Sequence, residues 1–276
     1  MATSPAIERS IPPQQEQRPS AQLSGSKFAR IPLLCVVFAA GMGLFVSIDP
    51  VRPWILLALT AIIALGADGI IRSHPYGDFR TIGDTSPYLF VPVLFTLSSG
   101  LFLQDVVLGY WAGPAVLGAS CLLGCALYAE YQSVELDEAS GAMAHFLLNV
   151  ITYLTAFGFY SVVYGFDVAL APAAFAVGLI SMLLSIEVFR EAEADPIRAL
   201  VFAAVIGVIL AEGRWVLYFI PLDGILAGIF LLLVFYLTTG VISHYLTDHL
   251  DRMVLLEFAA VSAAGLVIVV GGRVFA

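Results

Sequence analysis

The decapeptide VFAAVIGVIL at residues 201–210 is apolar at every position, and so is IFLLLVF at 229–235. Both lie within longer runs, 197–219 and 222–245, that hold few charges. A strand of a membrane barrel alternates apolar and polar residues over ~10 positions, and these runs do not alternate. In hydrocarbon a backbone N–H or C=O has to be paired within its own segment, which leaves the α-helix. These two runs therefore decide the fold class: an all-α membrane protein.

Working outward, a spanning helix needs ~20 mostly apolar residues. Seven more stretches approach that length: 31–48, 53–71, 87–104, 108–129, 141–163, 167–188 and 253–273. Hydrophobic residues are 60% of the chain, charged residues 12%, and mean hydropathy is +0.96. The expected architecture is a polytopic bundle of nine transmembrane helices over 28–276. Gln104 and Asp105 are the only break within 87–129. If that stretch crosses once, the number is eight and every later loop changes side. Residues 1–27 are rich in proline and glutamine and poor in apolar groups. They read as a disordered cytoplasmic tail, since little burial is available to offset the entropy of ordering them.

Short loops rich in Lys and Arg stay in the cytoplasm. With the N-terminus inside, the inner segments hold Arg9, Arg18, Lys27, Arg30, Arg72, Arg80, Arg190, Arg198 and Arg252. The outer ones hold Arg52 and Arg273. The expected placement is a cell inner membrane, with the C-terminus outside. Helices in lipid associate through small residues four apart. Ala203, Gly207 and Ala211 form one such ridge, Gly224 and Gly228 another, and Ala260 and Ala264 a third. They predict packing among the last three helices. Cys35, Cys121 and Cys125 lie inside spans without metal or redox spacing and read as small packing residues.

Ionisable groups in lipid face a cavity or one another. On the fifth span, His145, Asn149, Thr152, Tyr153 and Tyr160 fall within about one third of the helix circumference. Two readings fit this stripe: the lining of a cavity or relay, or interhelical hydrogen bonds that fix packing. Asp68, Glu130 and Glu187 end spans, and Glu257 sits about a turn inside the ninth. With His145 they would make a cytoplasm-facing ring if their helices are adjacent. The alternative is that they reach headgroup water.

On the outer side Glu212, Arg214 and Asp223 are candidates for a buried ion pair joining spans seven and eight, against an interfacial anchor with Trp215 and Tyr218. His244 and Asp248 are four apart, spaced to share a metal, but a zinc site needs three or more ligands and no HExxH occurs. A solvated turn is the plainer reading.

Neither a Walker nor a dinucleotide-binding glycine pattern is present, nor GxSxG. Nothing calls for a cofactor. Acidic loops at 130–138 and 187–195 argue against nucleic acid, which binds basic patches.

The stretch WVLYFIPLDGILAG (215–228), continued by YLTTG (236–240) and LLEF (255–258), resembles an uncharacterised family of bacterial multi-spanning integral membrane proteins. Trp215, Pro221, Gly224, Gly228 and Glu257 carry the resemblance, which covers roughly the last 65 residues. It implies a bacterial membrane protein of no assigned activity. The expectation is a membrane-embedded scaffold or assembly partner, bound to lipid and to a membrane protein or its own copies. One alternative is a small-solute or ion transporter with a cytoplasm-facing cavity. Another is a lipid-directed enzyme with His244, Asp248 and His249 at its site.

Overall fold

The computed structural model describes residues 30–48, 50, 52–73, 85–106, 109–133, 138–166, 169–192, 195–220, 222–247 and 252–275. The described residues form helices and no strand: α1 (Arg30–Ser47), α2 (Pro53–Ile71), α3 (Phe90–Val106), α4 (Ala112–Gln132), α5 (Glu138–Gly165), α6 (Leu170–Ala192), α7 (Pro196–Leu217), α8 (Gly224–Leu246) and α9 (Arg252–Phe275). These nine, two of them with leading 3-10 turns at Ser86–Leu89 and Gly109–Trp111, are long and apolar enough to cross a membrane. The chain is thus a multi-pass α-helical membrane protein.

Local chemistry sets several boundaries. Gly109 adopts φ 72°, a left-handed conformation that favours glycine. The chain turns there and starts α4, so 87–129 holds two helices. Asp195 caps α7 by accepting the Ile197 N–H at 3.0 Å, with Pro196 at the first helical position.

The helices alternate in direction. The Arg30 face collects the starts of the odd-numbered helices and the ends of the even ones, and the Ser47 face collects the rest. Two apolar cores lie side by side. Phe38, Met42, Ile63, Leu123 and Ile151 centre the first. Tyr160, Leu184, Phe189, Ile206, Leu210 and Phe235 centre the second. The long helix α5 contributes to both, with Leu148 and Ile151 in one and Ala156 and Tyr160 in the other.

The small-residue ridges find different partners from those expected. Gly207 of α7 meets Gly178 of α6. A Cβ on Gly207 would lie 2.7 Å from the Gly178 carbonyl oxygen, and one on Gly178 2.8 Å from that of Gly207. Gly224 and Gly228 of α8 lie against Ser161 of α5, where a Cβ on Gly224 would stand 2.9 Å from the Ser161 carbonyl oxygen. Ala260 and Ala264 of α9 are exposed, and α9 packs mainly on α8. The expected packing among the last three helices occurs through α8, which packs on both α7 and α9, but the Gly207 and Gly224–Gly228 ridges do not carry it. A glycine ridge reports that another backbone comes close, and α6 and α5 supply those backbones. Cys121 and Cys125 are exposed on α4.

Candidate functional site

The most concentrated buried charge lies at the Arg30 face, where α4 and α6 end. Glu187 and Arg190 are three residues apart on α6 and so project from the same side. Arg190 Nη2 pairs with Glu187 Oε1 at 2.9 Å. Its Nη1 donates to Glu130 Oε2 of α4 at 3.1 Å, and Nη2 also donates to Ser133 Oγ at 3.2 Å. The guanidinium stacks on Tyr88, in the turn that leads into α3, with Cζ 4.4 Å from the ring centroid. Glu130 is 1% exposed and Glu187 5%. Two carboxylates thus share one guanidinium away from water. One oxygen of each, Glu130 Oε1 and Glu187 Oε2, has no hydrogen-bond partner among the described residues.

The expected ring is only partly assembled. Glu130 and Glu187 meet through Arg190, which the sequence offered only as a topology marker. The i, i+3 spacing of Glu187 and Arg190 was legible, but the approach of Glu130 from another helix was not. Asp68 belongs to a separate set, accepting from Arg72 Nε and from Thr85 Oγ1, each at 2.7 Å. Glu257 is exposed on α9, and His145 is half-buried near the start of α5.

Along α5 two of the five stripe residues, Tyr153 and Tyr160, make interhelical hydrogen bonds. Thr239 Oγ1 donates to the Phe235 carbonyl at 2.6 Å, so Tyr153 of α5 donates to Thr239 at 3.1 Å. Ser181 Oγ likewise donates to the Val177 carbonyl at 2.7 Å, so Tyr160 donates to Ser181 of α6 at 2.6 Å. Phe235 meets both tyrosine rings edge-on. Thr152 is fully buried with its hydroxyl unpartnered. Asn149 is half-buried and makes no side-chain hydrogen bond among the described residues. An apolar groove of about 300 Å³ between α5, α8 and α9 is lined by Tyr153, Tyr236, Val261 and Gly265.

At the Ser47 face, Arg214 is buried with Cζ 4.8 Å from the Tyr164 ring centroid. Glu212 and Asp223 are exposed, and among the described residues neither forms an ion pair with Arg214. The acids flank a turn that directs them outward, while Arg214 turns inward onto α5. Its Nε and Nη1 have no hydrogen-bond partner among the described residues. The tie between α5 and the turn after α7 is instead Tyr164. Its hydroxyl donates to the Ile220 carbonyl at 2.7 Å, lies 3.2 Å from that of Leu217, and accepts the Leu222 N–H at 3.3 Å.

His244 packs edge-on against Phe258, with centroids 5.8 Å apart. Asp248, the other weak metal candidate, lies outside the described residues, as do His249, the tail 1–27 and the loop 74–84. Among the described residues no group of three or more His, Cys, Asp or Glu is placed to hold a metal ion.

A family model described as "Protein of unknown function (DUF5656)" matches residues 36–271. The similarity therefore spans nearly the whole helical region, well beyond the C-terminal third on which the sequence resemblance rested. No curated protein and no solved structure matches the chain.

Proposed function

We propose a function from one premise: the chain belongs to the DUF5656 family of proteins of unknown function. Our reading is a membrane-embedded structural component, an assembly partner for another membrane protein or for further copies of itself. One observation carries it. Where a solute path would follow the α5 stripe, the hydroxyls of Tyr153 and Tyr160 are spent on Thr239 and Ser181 of neighbouring helices. Phe235 fills the space between the two rings. A path would need those groups turned toward water. The exposed face of α9, with Leu256, Ala260, Ala264 and Val267, supports an assembly role. The excess of Arg and Lys in alternate loops supports a bacterial inner membrane with the N-terminus in the cytoplasm.

Proteoliposomes carrying the purified chain test the reading. Under imposed proton, sodium and solute gradients, uptake should match that of empty vesicles. Gradient-driven uptake that Tyr153→Phe or Tyr160→Phe abolishes would overturn it in favour of a transporter. In native membranes a photo-crosslinker at Leu256 or Val267 should give one adduct of defined mass, and one at Leu117 of α4 none. A reporter fused after Ala276 should be active only outside the cell.

A further inference from the structure

We propose that the Glu130–Glu187–Arg190 cluster binds one further positive charge, supplied by a proton or by a monovalent metal cation. The inference is independent of the structural-component reading. It starts from charge balance. Arg190 neutralises one carboxylate, and the second leaves a net negative charge at residues that are 1% and 5% exposed. An uncompensated ion is costly in such surroundings, because the desolvation loss is not returned by a counter-charge. The geometry shows where the missing charge belongs. Each carboxylate gives one oxygen to the guanidinium and keeps one buried oxygen without a donor. Two helices thus each contribute an open acceptor to one cluster.

Among the described residues, no basic group other than Arg190 bonds either carboxylate. The turn before α3 contributes Tyr88. At the end of α2, Asp68 holds Arg72 through its own carboxylate. Arg198 of α7 stands 5.9 Å from the Phe202 ring centroid. From α4 itself comes Tyr131, and α5 carries His145, half-buried near its start.

Access is also suited to a cation. The cluster sits within about a turn and a half of the helix ends, and the Arg190 side chain is 18% exposed. The ionisable residues that follow Tyr131 are Glu135, Asp137 and Glu138, and those after Arg190 are Glu191, Glu193 and Asp195. An added positive charge would draw α4 and α6 together, and an empty cluster would leave their carboxylates repelling.

The test uses the full chain in nanodiscs, with Glu130→Gln and Glu187→Gln. Each variant removes one charge, keeps the side-chain shape and adds an N–H donor. Infrared spectroscopy reads the proton. A protonated-carboxyl C=O band that shifts in heavy water, and is lost in either variant, supports it. Thermal unfolding in sodium, potassium and choline chloride, at equal ionic strength and pH, reads the metal cation. A midpoint that rises with one alkali ion over choline, and no longer does so in the variants, supports it. Absence of both signals in the native chain overturns the inference. So does a band or an ion response that survives unchanged in both variants.

Discussion

Two arginines lie at opposite ends of this bundle, and each stacks on a tyrosine of a neighbouring element. Arg190 is 4.4 Å from Tyr88 and Arg214 is 4.8 Å from Tyr164. There the likeness ends. Arg190 is held by two buried carboxylates and joins α4 to α6. Among the described residues Arg214 pairs with no acid, and the helices around it are joined by the neutral hydroxyl of Tyr164. The difference teaches how differently charge and neutral polarity bind helices in lipid. A tyrosine meets several backbone groups at small desolvation cost. An ion pair bridges more distant helices, but only if the count of charges closes.

Five substitutions, in four experiments, probe that contrast. The largest effect belongs to Arg190→Met, which leaves two buried carboxylates facing each other. Unfolding from mixed micelles by denaturing detergent should show a loss of about 3–5 kcal/mol. Tyr164→Phe comes next. It strips a donor from the Ile220 carbonyl and an acceptor from the Leu222 N–H, so it should cost about 1–3 kcal/mol in the same assay. A double-mutant cycle of Tyr160→Phe with Ser181→Ala sets the midplane baseline, with a coupling energy near ~0.6 kcal/mol. Among the single changes at the two ends, Arg214→Met should alter stability least, within about 1 kcal/mol and of either sign, since no partner is orphaned and the stem still packs. If Arg214→Met proved as damaging as Arg190→Met, the two ends would not differ in kind. If Tyr164→Phe were silent, Tyr164 would not be the tie at the Ser47 face.

Much of the local structure was legible. The helix extents follow from apolar run length, and the two helices within 87–129 part beside the Gln104–Asp105 break. The candidate site was legible in pieces. Glu130 and Glu187 stood out as acids at span ends, and the face shared by Glu187 and Arg190 follows from their spacing. That Glu130, 60 positions from Arg190, would close the cluster was not in the pattern. Nor was the partner of any ridge. Ala203, Gly207 and Ala211 announce a close neighbour, but α6 and α8 would answer that description equally well. Ala260 and Ala264 carry the same spacing and are exposed.

What the amino-acid order determined alone is the solvent, the helices and their alternating directions. Twenty apolar residues in a row leave a backbone in hydrocarbon no other way to pair its polar groups, whatever lies beside it. What only the folded bundle decided is which side chains meet. Hydroxyls, glycines and charges state what a neighbour must offer, and several helices could offer it. The choice falls to the packing that satisfies most of them together, and among the described residues it left two carboxylate oxygens at one end, and two guanidinium nitrogens at the other, without a hydrogen-bond partner.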